Sequence, residues 1–518
     1  MPALKLLRWS TAHVPATVRK GVARLRDRGR PEFRIERAAW TADGDLLLTG
    51  SQVPQSLVLR HRASGREVTV PAGAEGVRVP CARVLSFGEE IPLASGEWEL
   101  RDAYWTGRRL PARRVEGLHV YTPTPRGARL LLVVAPNHAP DERGPRAQER
   151  LQSGHYAGRR ALPLLDVAVF DSMAGRSASC NPRAVYEELC RRDLGLEFVW
   201  VSADGQFAPP PGTTVVLAGS RAHYEVMARA KYFVGNVRLP RWFRKREGQV
   251  YLQTWHGTPL KRLGLDIETL TDQRKAALEH IRADTPRWDY LVSPSPYATP
   301  ILRRAYGFEG EVLEVGYPRN DVLHRPGGEE YKAEVRRRLG LPEDKKVVLY
   351  APTFRDDLRL TGTPHDLALD VADARRALDG DHVLLLRAHR HMRKGAGWPR
   401  PDGFVRDVTA YPETADLLLV ADVLVTDYSS AMVDFAATGR PVVVFAPDLD
   451  RYRDEVRGLY VDLEEKAPGP LLRTSGDVVA ALRAGVTRGA DEAFRAEFCP
   501  FDDGAAAERV IEHVFKGM

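Results

Sequence analysis

The chain has 518 residues, 43% of them hydrophobic and 28% charged, and a formal net charge of +7. At that length about two to four domains with sizeable cores are expected, and no apolar stretch reaches the roughly 18 residues of a membrane-crossing helix. The N-terminus lacks a signal-peptide core followed by a small-residue cleavage site, so a cytoplasmic location is expected. Cys81, Cys180, Cys190 and Cys499 have neither metal-ligand nor redox spacing, which fits a reducing compartment and plain packing roles.

The charge is concentrated at the start. Residues 1–30 carry Lys5, Arg8, Arg19, Lys20, Arg24, Arg26, Arg28 and Arg30 against Asp27 alone, which accounts for the whole net charge. Leu6, Leu7, Trp9, Val14, Val18, Val22 and Leu25 are interleaved with them. Residues 1–32 therefore read as a basic amphipathic leader lying on an anionic membrane face. A solvated helix packed on the body is an equal alternative, because Pro15 interrupts the pattern.

Residues 33–155 change texture. Short runs such as FRIERAAW, DLLLTG, SLVLRH, WELRDAYW and ARLLLVVAP are punctuated by Gly, Pro, Asp and Ser, the spacing of a β-rich, sandwich-like or barrel domain. It holds no catalytic constellation, and an accessory or partner-binding module is expected. From about 160 strands and helices alternate: LLDVAVFDS, AVYEELCRR, LEFVWVS, TTVVLAG and HYEVMARAKYFVGN. The alternation restarts after the polar stretch 321–345 with KKVVLYAPT, DHVLLLRAH, the VLVTD unit and RPVVVFA. This is an α/β pattern with parallel sheets, predicting one domain over 160–325 and a second over 335–518, with a cleft between them. Ligands of such sheets bind beyond the carboxyl ends of the strands, and the informative residues fall there.

In the first α/β domain an apolar run delivers His256, followed by a turn of Gly257, Thr258, Pro259 and Leu260, with Lys261 and Arg262 adding positive charge. A histidine at such a strand end is placed to act as a general base at neutral pH. Arg319 follows Pro318 at another strand end, as a phosphate clamp or as the partner of Asp321. In the second domain Pro352 and Thr353 end a strand. Arg387, Ala388 and His389 end the next, with Arg387 and His389 on one face because they are two apart. A cation and an imidazole aimed at one point suit a developing phosphoryl charge; His391 shares the alternation and reads as structural. Ser429 and Ser430 sit where a helix begins, and Asp434 lies one turn later. Hydroxyls and N-terminal N–H groups there favour a phosphate, and the carboxylate a sugar diol; an ordinary capped helix has the same residues. The Asp-Gly-Asp and Asp-Leu-Asp triplets at 43–45, 379–381 and 448–450 lie in turn-rich contexts and read as solvated turns. A Walker loop and a Gly-x-Gly-x-x-Gly fingerprint are absent, which argues against a kinase and a dehydrogenase.

These residues belong to longer strings: FDSMAGRSASCNPRAVYEEL (170–189), YFVGN, QTWHGTPLKRLGLD, SPSPY, VGYPRNDVL, YAPTFRDD, LLLRAH, VTDYSSAMVDFA and DLDRYRDEVRGLYVDLEEKAPGP (448–470). In this order the chain resembles the CDP-glycerol:poly(glycerophosphate) glycerophosphotransferases, the teichoic acid primases and polymerases, over about 160–475. The resemblance implies two Rossmann-like domains facing a cleft in a GT-B-like fold, with CDP-glycerol as donor and no cofactor or metal. It places donor and phosphate contacts on Gly257, Thr258, Pro259, Leu260, Arg319, Pro352, Thr353, Arg387, Ala388, Ser429, Ser430 and Asp434, and the two histidines needed for activity on His256 and His389. The implied partner is a lipid-linked glycerol-phosphate acceptor at the anionic cytoplasmic membrane surface, which makes the protein peripheral there; no nucleic acid is implied. The expected reaction is attack of the acceptor hydroxyl on the β-phosphorus with CMP leaving, His256 serving as base. A CDP-ribitol-dependent transferase and a nucleotide-sugar glycosyltransferase of the same fold stay open as alternatives. So, more distantly, does a non-catalytic module that binds anionic surfaces.

Overall fold

The computed structural model describes residues 32–515 except 269–271, 326–327, 362, 364–365, 390–391, 393–397 and 488. The basic leader and His391 therefore lie outside the described residues. The chain divides into two compact units, one made of the residues up to Cys81 with Gly96–Arg114 and Tyr121–Val134, the other of Ala82–Ser95, Val115–Val120 and everything from Ala135 onward.

The first unit is built from a ten-stranded sheet of strands lying between Phe33 and Pro136. Neighbouring strands are mainly antiparallel, and the strand Glu67–Gly73 joins two sets: its first residues pair with Ser56–His61 and its last two with Gly76–Val79. Phe33–Trp40 shows how the sequence encodes this. Phe33 and Ile35 are buried two apart, then the next buried position is Ala38 rather than Arg37. A bulge at Glu36, where the register slips between Ile35 and Arg37, supplies the extra residue. Gly50 lies opposite, and a Cβ there would meet the Arg34 carbonyl oxygen at 1.9 Å, so no other residue fits against the bulge.

The expected β domain runs too far. Residues 140–159 are short helical segments, Pro140–Glu142, Pro145–Arg150, Leu151–Tyr156 and Ala157–Arg159. Leu151 and Tyr156 are buried in the apolar core that covers one face of the following sheet. With few apolar residues and two prolines, this stretch offered no periodicity to separate it from the strands before it.

Besides a short two-stranded hairpin, the second unit holds two larger sheets. One has seven strands in the order Thr213–Leu217, Glu197–Ser202, Leu165–Asp171, Ala230–Gly235, Val250–Gln253, Tyr290–Ser293, Glu311–Glu314. The other has six, in the order Val405–Asp407, His382–Leu386, Lys346–Ala351, Val423–Thr426, Val442–Phe445, Leu471–Leu472. All neighbouring pairs in both are parallel. Burial on both faces explains the unbroken apolar runs. Val347, Leu349, Val383, Leu385 and Leu424 enter one core, while Val348, Tyr350, Leu384, Leu386 and Val425 enter the opposite one.

The strand order reverses between Leu165–Asp171 and Ala230–Gly235 in one sheet, and between Lys346–Ala351 and Val423–Thr426 in the other. At such switch points the loops leaving the carboxyl ends diverge and open a crevice. Pro352–Thr353 and Asp427–Ser430 leave the second crevice on its two sides. The domain expected over 335–518 loses its end: the amphipathic helix Ala506–Val514 puts Val510, Ile511 and Val514 into the core of the first parallel sheet, beside Phe170, Val185 and Trp200. Asp321 fixes this return by accepting hydrogen bonds from the Ala506 and Ala507 N–H groups at 3.0 and 2.8 Å. Among the described residues no helix is long and apolar enough to cross a membrane.

Candidate active site

His256 is delivered by the strand Val250–Gln253 through a tight, strained turn. Thr254 donates its N–H to Gly235 O at 2.7 Å, and Trp255 sits at φ 53°, a region costly for a bulky side chain. The Trp255 indole N–H is satisfied by Gly257 O at 3.0 Å, and its ring packs on the imidazole with centroids 4.3 Å apart. His256 Nδ1 lies 2.7 Å from Asn236 O. A carbonyl only accepts, so Nδ1 carries the proton and Nε2 the basic lone pair. The ring is thereby held in the tautomer a general base requires.

The turn after His256 reaches the second sheet. A Cβ on Gly257 would lie 2.4 Å from Ser430 Oγ and 4.0 Å from Arg319 Nη2, so the glycine lets the histidine turn touch the helix start at Ser430. Thr258 is buried, and its hydroxyl has no hydrogen-bond partner among the described residues. Leu260, expected as a donor contact, is instead packed into the second sheet's core with Tyr428 and Val433. Its carbonyl accepts from Tyr460 N at 2.8 Å, and the Pro259 carbonyl from the Tyr297 hydroxyl at 2.9 Å. These two residues anchor the turn.

Arg319 also has a different partner from those expected. Its Nη2 donates to Asp434 Oδ2 at 2.6 Å and its Nη1 to His256 O at 2.6 Å, with Cys180 Sγ at 3.4 Å. Asn320 Nδ2 donates to the other Asp434 oxygen at 3.2 Å and to Asp502 Oδ1 at 3.1 Å. The Arg319 and Asp434 side chains are only 9% and 5% exposed. The arginine placed as a phosphate clamp and the carboxylate placed on a ribose thus hold each other, and hold the His256 backbone. Asp321, the other candidate partner of Arg319, caps the last helix instead.

Arg387 is likewise turned inward. It donates to Val408 O at 3.3 Å, Tyr411 O at 2.8 Å and Thr414 Oγ1 at 2.9 Å, and burial pushes its pKa down. The strand ends at Leu386, so the two-residue alternation that aligned Arg387 with His389 no longer applies. Ala388 is buried, its N–H on Thr409 Oγ1 at 3.1 Å. His389 packs against Phe354 with the rings tilted and centroids 4.3 Å apart, which brings it to the Pro352–Thr353 turn. Thr353 donates its N–H to Asp427 Oδ1 at 2.9 Å, while its buried hydroxyl has no hydrogen-bond partner among the described residues. Ser429 Oγ accepts from Ala431 N at 3.3 Å, and Ser430 Oγ makes no cap bond to the helix Ala431–Ala436.

Three further groups escaped the sequence reading. Asn181, fully buried, donates to Thr254 O and Trp255 O, both at 3.0 Å, and accepts from Arg319 N at 3.1 Å, tying the two turns together. Glu413 accepts from the Cys180 N–H at 2.7 Å and from Ala415 N at 3.2 Å. Arg355 spans Asp427 and Asp448 at 2.8–2.9 Å beneath the stacked rings of Tyr428 and Tyr452. Near it, Lys261 is pushed down to about 8 by burial and by Arg457, against the pull of Asp427 and Asp356. The strings SCNPRAVYEEL and YAPTFRDD carried Asn181 and Arg355, but no local pattern marked which side chains turn inward.

The His256 turn thus meets the helix start at Ser430, and His389 lies at the Pro352–Thr353 turn beside Phe354. The family model of CDP-Glycerol:Poly(glycerophosphate) glycerophosphotransferase matches residues 159–516, and the chain belongs to this family. It is 39% identical over 365 residues to a teichoic acid poly(glycerol phosphate) polymerase of Bacillus subtilis (strain 168), an alignment spanning 67% of this chain and 48% of that protein. The chain thus matches about half the length of that relative. To a teichoic acid glycerol-phosphate transferase of Staphylococcus aureus (strain NCTC 8325 / PS 47) it is 38% identical over 370 residues, 68% of this chain and 94% of the other. The solved structure of the wall teichoic acid polymerase TagF superposes with a TM-score of 0.66 at 33% identity, covering 72% of this chain and 94% of that one. A TagF variant soaked with CDPG gives the same TM-score.

Proposed function

We propose that this chain transfers glycerol phosphate from CDP-glycerol to the terminal hydroxyl of a glycerol-phosphate acceptor, releasing CMP, in the synthesis of teichoic acid or a related cell-surface polymer. The observation that carries the reading is His256, whose Nδ1–H is committed to Asn236 O so that Nε2 is the basic nitrogen. A hydroxyl is a poor nucleophile at neutral pH. In the proposed step its oxygen bonds to the β-phosphorus, its proton passes to His256 Nε2, and the bond from that phosphorus to the bridging oxygen breaks, so that CMP leaves with the electron pair. Stabilisation of the charge that moves is assigned to His389, the hydroxyls of Thr258, Thr353, Ser429 and Ser430, and the Lys261 ammonium. Arg319, Asp434 and Asn181 set the position of the histidine turn, and Arg387 that of the His389 segment. No step is assigned to a metal or cofactor.

The two parallel sheets then act as Rossmann-like domains of a GT-B-like pair, with boundaries near 160–325 and 335–500 and the last helix returned to the first. The β-rich module before them is an accessory domain. The basic leader is assigned to the anionic cytoplasmic membrane surface where a lipid-linked acceptor resides. Deleting residues 1–30 is expected to abolish sedimentation with anionic vesicles while leaving CMP release on a soluble acceptor analogue intact.

The donor is tested by a screen in the presence of a lipid-linked glycerol-phosphate acceptor, with product mass read directly. CMP release from CDP-glycerol, with mass increments of glycerol phosphate, is expected. Release only from CDP-ribitol changes the transferred group; UDP release from a UDP-sugar overturns the phosphotransferase reading.

A further inference from the structure

The segment 82–95 leaves the β-rich sheet between two of its strands and groups with the α/β unit instead. It forms a two-stranded hairpin, Val84–Ser86 with Glu89–Ile91. The two residues at its tip, Phe87 and Gly88, lie at φ 51° and 81°. Left-handed pairs at hairpin tips are normally Asn-Gly or Asp-Gly, because a large side chain there is strained. A phenylalanine kept in that conformation calls for a contact that compensates, and one is present. Its ring meets Tyr411 edge to face, with centroids 5.2 Å apart. Alongside, a Cβ on Gly88 would meet Arg338 Cγ at 3.2 Å, and Arg338 Nη1 donates to Glu89 at 3.3 Å.

Tyr411 lies in the loop that fixes the second side of the candidate site. That loop supplies the Val408 and Tyr411 carbonyls and the Thr414 hydroxyl that hold Arg387, two residues before His389. It also supplies Thr409 Oγ1 to the Ala388 N–H, and Glu413, which accepts from Cys180 N beside Arg319. The loop is pinned from within by Tyr411, whose hydroxyl donates to Asp416 Oδ2 at 2.7 Å. The outer face of the same ring receives Phe87.

We propose that the 84–91 hairpin is a brace within the α/β unit, and that Phe87 is a positioning residue for the 408–414 loop and through it for the Arg387–His389 segment. The inference rests on the transfer reaction proposed above for what the segment does, but the bracing itself is a separate physical claim.

Phe87→Gly separates this role from a merely structural one, because glycine removes the ring and relieves the left-handed strain together. The variant is expected to melt at or above the wild-type temperature. Hydrogen exchange over 408–416 should accelerate about three- to tenfold, and kcat for CMP release should fall by a similar factor, the worth of one aromatic pair, while the KM for CDP-glycerol changes less than about twofold. Phe87→Tyr, which keeps the ring, should restore both. Wild-type exchange over 408–416 in Phe87→Gly overturns the brace. Faster exchange with an unchanged kcat overturns its link to the transfer site. Loss of thermal stability matching the loss of activity, unrescued by Phe87→Tyr, reduces Phe87 to a folding residue and also overturns the proposal. If wild-type protein releases no CMP from CDP-glycerol, the transfer reading fails while the exchange data still decide the bracing.

Discussion

Replacing Asp434 by Asn separates two incompatible roles for this carboxylate. In the structure Asp434 is the counter-charge of Arg319, and both side chains are nearly fully buried. An arginine does not give up its proton in a protein, so the variant leaves a buried guanidinium with only neutral partners, the new side-chain amide among them. Removing one member of a buried pair costs about 3–5 kcal/mol; the amide keeps the shape and one acceptor, which places D434N at about 3 kcal/mol. The double variant R319M/D434L should be far less destabilised than the sum of R319M and D434L, because no charge is then stranded. The assay is urea unfolding followed by fluorescence, paired with the steady-state kinetics of CMP release. Because Arg319 also holds His256 O, kcat should fall together with stability. A D434N protein with a stability change below about 0.5 kcal/mol and a raised KM for donor would instead make Asp434 a sugar contact rather than the counter-charge of Arg319.

Other substitutions probe neighbouring parts of the same framework. Asn181→Ala leaves the Thr254 and Trp255 carbonyls without their donor, and should cost about 2–4 kcal/mol and lower kcat with little change in KM, read by unfolding and CMP release. Gly257→Ala drives a methyl into Ser430 Oγ and should destabilise by about 1–3 kcal/mol, with the double variant G257A/S430G recovering most of the melting temperature. Burial and the neighbouring Asp434 charge, against the Asn320 hydrogen bond, raise Asp502 to about 7. Between the ordinary carboxylate value and 7 the unfolded chain sheds a proton that the folded chain keeps, so this group makes the fold less stable as pH rises through that window. Asp502→Asn should therefore melt higher than wild type at pH 8, with the difference closing by pH 4.

The parallel strands were legible because burial on both faces demands runs such as KVVLYA and VVVF. His256, Thr353 and Ser430 were legible for a topological reason: they follow strand ends at or beside a switch point. What a side chain does after leaving its strand was not legible. Arg387 looked aimed at a ligand because alternation was extended beyond Leu386, where the strand ends and backbone carbonyls from 408 and 411 capture the guanidinium. Arg319 and Asp434 lie 115 positions apart, and only the tertiary fold makes them a pair. Leu260 was read with the turn it closes, whereas its apolar side chain follows the nearest core. The helix Ala506–Val514 carries a clear apolar face, but a one-dimensional pattern does not say which of two sheets that face will cover.

The proposed roles of His256 as base and His389 as stabiliser of the moving charge are separated by CMP release from CDP-glycerol onto a lipid-linked glycerol-phosphate acceptor, measured for His256→Ala and His389→Ala beside wild type across pH 5–9. His256→Ala is expected to lose turnover by a factor of about 100 or more, together with the acidic limb of the pH profile, and His389→Ala to lose turnover while keeping that limb. Full turnover by His256→Ala, with turnover lost only in His389→Ala, would contradict these roles.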